Sequence, residues 1–501
     1  MIATLLAFAS TLFLITWLNR RSGYPSHLPP GPKPTPILGN LGDFTSKELW
    51  VKAAKWADKY GDVCYLHVFG WSVIFLSSPD AAFELLEKRG AMYSDKPKLK
   101  MVGDLCGCRK LLPFLSYSSE FTQQRRYLKQ TLGSRSIPAY YSTIRASTNS
   151  FLVELINSPS QYLEHLRKYA GGLVLSVGYG YQVRSTDDKF LVQAEECVQL
   201  LANRIVAGSG IWLVDVFPVM AYLPSWMPGA GFKKKAMLWK RMMREFVDAP
   251  FEEAKASVKS GTILPSFCSD ILGGDEPLNS SEEENIKYSA NSMFAASADT
   301  TVTTMSHFIL AMMLYPDVLK KAQAEIDQVI GPDRLPDLND RPALPYVDAI
   351  MLEVWRWGAP VPLNLPHCVR QDDQYRGMYI PKGSFIIVNI WAILRNEQLF
   401  PEPEIFRPER FLPVPGVVPD PRQDPRNYVF GFGRRYLRCP GADLSESSIW
   451  LLIASMIAVL DIRKPDAGDI PVRYNNSVFR VPDKLQCEIK PRSDNVLSLL
   501  E

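Results

Sequence analysis

The stretch FGFGRRYLRCPG, Phe430 to Gly441, carries the strongest signal for fold and chemistry in this chain. It places glycines and three arginines ahead of one cysteine, and a helix is predicted to start at Ala442. A thiolate needs positive charge and backbone donors nearby, and this loop offers both. A structural zinc site would require about four ligands, so a single cysteine argues against zinc. One thiolate on an open metal is instead typical of haem iron, which makes Cys439 the predicted metal ligand.

The N-terminus contains an uncharged apolar run, Ile2 to Leu18, followed directly by Arg20 and Arg21. Its 17 residues are close to the shortest length that spans a bilayer core of about 30 Å. A secretory signal peptide would instead need a basic start and a small-residue cleavage site, and neither is evident. We therefore predict an uncleaved membrane anchor over residues 1–22, which by the positive-inside rule leaves the rest of the chain in the cytosol.

The segment after the anchor is rich in proline, with LPPGP at Leu28 to Pro32. Proline fixes φ and removes backbone donors, so residues 23–40 are predicted to form a stiff hinge. Residues 41–501 then form one large domain. The chain has 501 residues, with 56 basic and 53 acidic side chains, and this balance gives no electrostatic footprint for nucleic acid. Its eight cysteines are too sparse for a disulfide framework.

Helical periodicity dominates beyond Pro79, and the predicted fold class is mainly α with small β-sheets. The residues from Lys47 to Tyr60 predict an amphipathic helix, and the alternating run from Val63 to Ser77 predicts a hairpin. The longest predicted helix runs from Ser281 to Leu314, with a capping box formed by Ser281 and Glu284. Strand signals return from Met378 to Asn389.

The long predicted helix contains AASADTT, Ala295 to Thr301. Small residues leave room for a ligand against a helix face, and Thr300 can hydrogen-bond back to a carbonyl and widen the helix. Asp299 beside Thr300 can relay protons into a closed pocket. Close helix packing with a solvated Asp299 is the structural alternative, and the residues alone do not choose between the two.

Glu353 and Arg356 form an E-x-x-R pair one helical turn apart. The pattern is common, since Glu164/Arg167 and Glu404/Arg407 match it as well. The first pair differs in its setting, because it ends a predicted helix and precedes PVPLNLPH, Pro360 to His367. Arg410, in PERF, can complete a Glu–Arg–Arg network that locks the fold.

Several conspicuous residues carry no predicted role. The histidines His27, His67, His165 and His307 have no partner pattern and are predicted to be surface or core residues. The lysine cluster at 233–235 is predicted to be a solvated face, or alternatively a contact with the membrane surface.

The ordered set of motifs resembles the microsomal cytochromes P450, and in particular fungal secondary-metabolism enzymes of the O-methylsterigmatocystin oxidoreductase type. The resemblance covers nearly the whole chain and implies the cytochrome P450 fold with an N-terminal transmembrane helix. It implies that Cys439 is the axial ligand of haem b, and that Asp299 and Thr300 serve oxygen activation. Glu353, Arg356 and Arg410 are then the structural triad.

The resemblance also implies further contacts with the haem and the substrate. Arg125, in EFTQQRR, matches the family's W-x-x-x-R helix and is expected to contact a haem propionate, as is His367. The remaining haem-binding positions fall in the Cys loop, residues 430–441: Phe430, Gly433, Arg435 or Arg438, and Gly441. The expected substrate pocket is lined by Ala295, Ala296, Ala298, Val361, Leu363 and Phe479, together with Val478. These residues are apolar and favour a lipophilic substrate such as a terpenoid, a polyketide or an indole.

Three positions depart from the family pattern. Phe121 stands where the family has tryptophan, and Ser297 stands where its oxygen-groove glycine is usual. In addition, the Cys loop is two residues longer than the family's F-x-x-G-x-R-x-C-x-G, with the extra residues between Gly433 and Cys439. The insertion leaves the propionate arginine open between Arg435 and Arg438.

The implied protein is a single-pass enzyme of the endoplasmic reticulum membrane, with its catalytic domain in the cytosol. It inserts one oxygen atom of O₂ into a lipophilic small molecule, using electrons from NADPH delivered by a separate NADPH–cytochrome P450 reductase. One alternative is a haem-thiolate isomerase or dehydratase that needs no reductase. The other is a haem-binding scaffold impaired by the longer loop before Cys439.

Overall fold

A computed structural model of the chain describes residues 27–206, 211–274, 277–432, 438–465, 472–475 and 478–500. The predicted membrane anchor over residues 1–22 lies outside the described residues. So do the first residues of the hinge and positions 433–437, which include Gly433 and Arg435.

Helices form most of the described chain, in agreement with the predicted fold class. The helices of eight or more residues are Leu49–Tyr60, Ser119–Leu132, Tyr141–Asn157, Tyr162–Tyr179, Lys189–Leu200, Gly231–Lys259, Ser280–Leu314, Pro316–Val329, Pro345–Gly358 and Ala442–Val459. Shorter α-helices are Leu41–Phe44, Pro79–Ala82, Gly90–Tyr93, Leu213–Val216, Phe267–Leu272, Ile390–Ile393, Arg426–Val429 and Val496–Leu500. Single π-helical turns are Phe83–Lys88, Lys100–Leu105 and Leu201–Val206.

Short 3₁₀ segments join many of these helices: Leu112–Phe114, Ile137–Tyr140, Pro159–Gln161, Pro218–Tyr222, Leu338–Ala343, Pro408–Phe411 and Pro421–Gln423. Proline is within the first two residues of six of these seven segments. A proline at this position loses no helical hydrogen bond, because the N–H that it lacks would have no partner there.

The central helix, Ser280–Leu314, has 35 residues and extends about 50 Å. It starts one residue earlier than predicted, and its capping box is formed by Asn279 and Glu282 rather than by Ser281 and Glu284. The Asn279 side chain accepts the N–H groups of residues 281 and 282 at 3.0 Å, so it satisfies two of the free donors at the helix start. The helix ends before Pro316, which begins the next helix at a bend of 102°.

The strands form three small sheets. The largest has the order β1 (Val63–Val68), β2 (Trp71–Leu76), β6 (Phe385–Val388) and β3 (His367–Cys368). The other two sheets are antiparallel pairs, β4 (Asp373–Tyr375) with β5 (Met378–Ile380), and β7 (Leu460–Arg463) with β8 (Glu488–Pro491). The β1–β2 turn confirms the predicted hairpin, and both of its central residues have positive φ, Phe69 at 48° and Gly70 at 83°. A two-residue turn of this kind matches the twist of the flanking strands.

One large core joins the helices, and it positions the site. The central helix packs against Ser119–Leu132, Tyr162–Tyr179, Pro345–Gly358 and Ala442–Val459. Of the described helices, Ala442–Val459 is apolar and long enough to cross a membrane, as is the bent pair Ser280–Leu314 and Pro316–Val329 taken together. Ala442–Val459 is mostly buried inside the protein, as expected of a core helix.

Candidate active site

Cys439 lies at the end of the Cys loop, just before the helix Ala442–Val459. Its backbone N–H donates to the carbonyl of Phe430 at 2.7 Å, so the two ends of the longer loop are held together. Phe430 is buried and packs edge-on against Trp355, with ring centroids 5.2 Å apart. Cys439 is therefore tied to the core at Phe430, although the loop between them is longer than the family pattern.

Three groups near the Cys439 sulfur favour its thiolate. Burial among the surrounding chain raises the pKa of Cys439, whereas the Gly441 N–H, Arg125 and Arg438 lower it. The residue is nevertheless solvent-accessible. A side chain at Gly441 would place its Cβ 3.9 Å from the sulfur. The loop thus supplies the backbone donor and the positive charge that a thiolate requires.

Three nitrogen-bearing side chains from separate elements converge beside this loop. Arg125, on the helix Ser119–Leu132, donates to the Arg438 carbonyl at 2.7 Å. Arg125 also lowers the pKa of Lys96, which burial and this like charge together bring to about 8. Lys96 in turn contributes to holding the pKa of His367 well below its ordinary value, with burial as the larger cause.

Lys96 and Arg125 are two like charges close together, and the carboxylate of Asp95 offsets part of the effect on Lys96. Among the described residues, no carboxylate lies within ion-pair distance of the Lys96 ammonium or the Arg125 guanidinium. The Nδ1 of His367 is buried without a hydrogen-bond partner. A buried donor such as His367 is costly unless an acceptor reaches it, and the partly exposed Lys96 and Arg125 attract negative charge beside it. The arrangement therefore fits a ligand that carries more than one negative charge.

The role of Lys96 was not predicted from the sequence. It lies in the run YSDKPKLK, where Lys98 and Lys100 also occur and all three lysines look like surface residues. Only the fold distinguishes Lys96, because the backbone of Asp95 bridges to Cys368 and brings residue 96 beside His367.

The central helix is open over its small residues. Residues 285–286, 289–294 and 301–313 are buried, whereas residues 295–300 are partly or fully accessible. The AASADT stretch is therefore an accessible interruption between two buried parts of the central helix.

Thr300 and Asp299 have different surroundings. The Thr300 hydroxyl donates to the Ala296 carbonyl at 3.0 Å, which is the predicted back-bond along the helix. Asp299 has one buried carboxylate oxygen without a partner among the described residues. Burial raises the pKa of Asp299, Arg167 lowers it and Glu195 raises it.

A small cleft leads from Asp299 towards the surface. It has a volume of about 100 Å³ and is lined by Phe294, Ala298 and Asp299 together with charged residues of two neighbouring helices. Arg167 and Glu195 form an ion pair across it at 3.3 Å. The Asp299 carboxylate therefore connects the helix interior with a polar, water-accessible side of the protein.

Glu353, Arg356 and Arg410 are brought together as the sequence predicts. Glu353 and Arg356 are fully buried, and Arg410 Nε reaches Glu353 Oε1 at 3.2 Å. The backbone N–H of Arg407 also donates to Glu353 Oε1 at 2.8 Å. This network joins the helix Pro345–Gly358 to the segment that precedes the Cys loop.

The expected pocket residues have unequal surroundings. Ala295 packs partly against the large core, and Ala296 is exposed on the open stretch of the central helix. Ala298 lines the cleft at Asp299, and Leu363 packs against the apolar cluster beneath the β1–β2 hairpin. Val361 and Phe479 are partly exposed.

Comparison with known proteins supports the resemblance found in the sequence. The family model for cytochrome P450 matches residues 29–489, which is most of the chain and includes the Cys loop. The chain belongs to the cytochrome P450 family.

Relatives from fungi align over almost their whole length. Cytochrome P450 monooxygenase 176 from Postia placenta is 38% identical, over 99% of this chain and 96% of the relative. Cytochrome P450 monooxygenase claT from Ampulloclitocybe clavipes is 37% identical, over 95% of this chain and 93% of the relative. Tryptamine 4-monooxygenase from Psilocybe cyanescens is 36% identical, over 96% of each chain. This cytochrome P450 is therefore a monooxygenase, similar to those of fungi.

The residues of this cytochrome P450 fit a haem. The accessible Cys439 thiol would supply the ligand, and Arg125, Lys96 and the His367 ring would supply donors for two carboxylates. When bound, haem iron ligated by a thiolate supplies the activation of O₂.

Proposed function

We propose that this protein is a membrane-anchored haem-thiolate monooxygenase that inserts one oxygen atom of O₂ into a lipophilic small molecule. Electrons come from NADPH through a separate NADPH–cytochrome P450 reductase. The observation that carries the proposal is the setting of Cys439, whose sulfur receives the Gly441 N–H and the charge of Arg125 and Arg438. These three groups offset part of the burial that raises the pKa of Cys439, and an iron cation bound at the sulfur would favour the thiolate further.

The cations beside the Cys loop would hold the haem propionates. Arg125 is fixed by its bond to the Arg438 carbonyl, and the buried His367 is neutral, so its imidazole donates an N–H rather than a charge. Phe121 lacks the indole donor usual in the family, and Lys96 would add an ammonium to this group. We assign the loop arginine at this site to Arg438, whose charge acts on the Cys439 sulfur, whereas Arg435 lies outside the described residues.

Proton delivery is assigned to Asp299 and Thr300. Water in the cleft beside the Arg167–Glu195 pair would protonate Asp299. Because the pKa of Asp299 is raised, its carboxyl keeps a proton to a higher pH than an ordinary aspartate does. Thr300 donates its own proton to the Ala296 carbonyl, which leaves the hydroxyl oxygen free to accept and orient a proton donor. A positioned acid of this kind typically contributes about a hundredfold or more to rate.

The substrate is proposed to be apolar. The accessible stretch of the central helix offers methyl groups of alanine, and Val361, Leu363, Val478 and Phe479 offer larger apolar side chains. The relative named as a tryptamine 4-monooxygenase makes indoles a reasonable first class to screen, followed by terpenoids and polyketides.

Membrane association is proposed from the sequence of residues 1–22, with residues 23–40 as the hinge and 41–501 as the catalytic domain in the cytosol at the endoplasmic reticulum. The segment 219–237 supports contact with lipid, because it exposes the apolar side chains Val219, Tyr222, Trp226 and Met237. Lys234 and Lys235 are exposed in the same segment, and aromatic and basic residues together suit the interface of a bilayer.

The test is the spectrum of the reduced, carbon-monoxide-bound protein in microsomes. A strongly red-shifted Soret band in the wild type, absent in Cys439→Ser, is the result that supports thiolate ligation. A band typical of imidazole or neutral thiol would contradict it, and folded protein without haem would favour the scaffold alternative. Turnover of an indole that needs both NADPH and reductase then excludes the isomerase alternative.

A further inference from the structure

His307 is a fully buried histidine on the central helix, two turns after Thr300. Its Nδ1 lies 2.8 Å from the carbonyl oxygen of Thr303. A carbonyl only accepts hydrogen bonds, so Nδ1 must carry the proton. In the neutral ring Nε2 is then an acceptor, and it lies 3.2 Å from Nη1 of Arg480, which only donates.

The imidazole is held neutral. Burial lowers the pKa of His307 well below its ordinary value, and Arg480 lowers it further. Arg395 is close by, and its guanidinium has a pKa lowered to about 9 by burial and by Arg480. A protonated His307 would add a third positive charge, whereas the neutral ring offers the guanidinium of Arg480 a lone pair.

Arg480 connects three parts of the chain. Besides His307, its Nη1 donates to the carbonyl of Gly358 at 3.0 Å, and its backbone N–H donates to the carbonyl of Pro360 at 3.1 Å. Its guanidinium also lies over the ring of Tyr474, 3.8 Å from the centroid. One side chain thus ties the central helix to the end of the helix that carries Glu353 and Arg356.

Tyr474 and Arg480 belong to the C-terminal hairpin, defined by residues 472–475 and 478–483. Tyr474 bridges to Pro482, and the N–H of Asn475 donates to the Val481 carbonyl at 3.1 Å. The expected pocket residue Phe479 immediately precedes Arg480 in this hairpin. Holding Arg480 therefore restricts the backbone at Phe479.

The His307 ring is enclosed on its remaining sides. It stacks on Tyr474 with 5.9 Å between centroids and meets Trp357 edge-on at 6.1 Å. A Cβ at Gly358 would lie 2.9 Å from the ring, so this helix end must be glycine for the histidine to fit. The ring has little freedom to turn away from Arg480.

We propose that His307 is a positioning residue for substrate selection, and that its neutral Nε2 fixes Arg480 and so holds Phe479 of the C-terminal hairpin over the substrate pocket. The inference rests on the proposed function for the identity of the pocket. The clamp itself, from His307 through Arg480 to the hairpin, stands on the contacts alone.

The experiment uses the full-length protein with His307→Phe, His307→Gln, Arg480→Met and the double variant His307→Phe/Arg480→Met. Phenylalanine keeps the ring contacts and removes the acceptor, whereas the glutamine carbonyl can still accept from Arg480. Ser306→Ala is the matched control, since Ser306 is buried at the adjacent position and its hydroxyl has no partner among the described residues.

Two readouts follow the clamp. The rate of hydrogen exchange of the amides at 479–481 is expected to rise about tenfold in His307→Phe. This factor corresponds to the free energy that a hydrogen bond to a charged group usually contributes. Binding of 4-phenylimidazole to the haem is expected to weaken by a similar factor, whereas imidazole, too small to reach the hairpin, changes by less than about twofold. His307→Gln should restore most of the protection from exchange and most of the 4-phenylimidazole affinity. The double variant should show effects no larger than those of either single variant.

The proposal is overturned if His307→Phe leaves both the exchange at 479–481 and the 4-phenylimidazole affinity like those of Ser306→Ala. It is also overturned if imidazole and 4-phenylimidazole weaken equally, since that would indicate a general disturbance of the haem. Failure of the proposed function is visible separately, because it would remove the thiolate spectrum of the wild type while the exchange measurement still decides on the clamp.

Discussion

Glu353 and Arg356 form a two-point ion pair inside the protein, with Nε 2.6 Å from Oε2 and Nη2 2.8 Å from Oε1. Both side chains are completely buried. Arg356 also donates to the carbonyl of Leu394 at 3.0 Å, so one guanidinium satisfies groups from two parts of the chain. A charge buried this deeply is tolerated only while its partner remains.

Replacing Glu353 by glutamine is expected to destabilise the protein strongly. The change leaves Arg356 and Arg410 without a counter-charge and points an amide N–H₂ at a guanidinium. Breaking a buried pair in this way typically costs about 3–5 kcal/mol. The measurement is denaturant unfolding followed by tryptophan fluorescence, with haem per polypeptide as a second reading if the variant does not fold. Glu402→Gln, which removes the exposed partner of Arg407, is the control and should leave both unchanged. Equal effects of the two variants would show that Glu353 has no special role.

Thr300→Val and Thr303→Val separate proton delivery from helix structure. Both threonines donate to carbonyls one turn back, Thr300 to Ala296 and Thr303 to Asp299. Only Thr300 is accessible, so we expect Thr300→Val to divert most NADPH-derived electrons to hydrogen peroxide, and Thr303→Val to keep the wild-type ratio of product to NADPH. Asp299→Asn should lower turnover by about a hundredfold. Similar coupling in the two threonine variants would remove Thr300 from proton delivery.

Lys96→Met is expected to loosen the haem. Methionine keeps the aliphatic length of the side chain and removes the ammonium, which in the proposed site contacts a propionate. We expect transfer of haem to apomyoglobin to become about tenfold faster, in keeping with the loss of a charge-assisted hydrogen bond. Lys98→Met, at an exposed position two residues away, should transfer haem at the wild-type rate. A result in which both variants match the wild type would place Lys96 outside the haem site.

Local signals in the sequence predicted the elements, and the fold then added contacts that no local signal contains. The hairpin from Val63 and the helix ending before Pro316 follow from alternation and from the missing proline N–H. The capping box was misplaced because Asn279 and Ser281 are both good N-cap residues, and each is followed three residues later by glutamate. Only the structure shows that Asn279 is the N-cap.

Long-range partners explain what the sequence did not predict. His307 and Arg480 are 173 positions apart, and no spacing rule links a lone histidine to an arginine in a terminal hairpin. By contrast, Glu353, Arg356 and Arg410 were predicted together, because two of them share a helix turn and the third follows in an ordered motif.

A fluorescent label can test whether the segment 219–237 contacts lipid. Tyr222→Cys places a thiol at a residue of this segment that is 81% exposed, and Val418→Cys places one at a residue that is 89% exposed elsewhere. An environment-sensitive dye on full-length protein should shift its emission to the blue at position 222 when anionic vesicles are added, and should not shift at position 418. Equal behaviour of the two labels would indicate that the segment 219–237 stays in water.

Asp215 links two segments of the chain, and its titration should be visible in stability. Its Oδ1 accepts the N–H of Met101 at 2.7 Å, so the helix Leu213–Val216 is tied to the start of the turn Lys100–Leu105. Burial raises the pKa of Asp215 to about 6, the N–H groups of residues 101 and 100 lower it, and Asp104 raises it.

The direction of this pH dependence follows from the pKa of an aspartate in the unfolded chain, which is about 3.9 and lies below the folded value. Because the folded state holds the proton more tightly, the contribution of Asp215 to stability is greatest below pH 4 and is lost as the pH rises through about 6. Asp215→Asn keeps a carbonyl that accepts from Met101 and removes the titration. The free energy of unfolding of the wild type, measured relative to Asp215→Asn, should therefore fall by about 1 kcal/mol between pH 5 and pH 7. A difference that is constant with pH, or that grows in favour of the wild type, would show that Asp215 is ionised throughout, and the contact with Met101 would then be an ordinary helix cap.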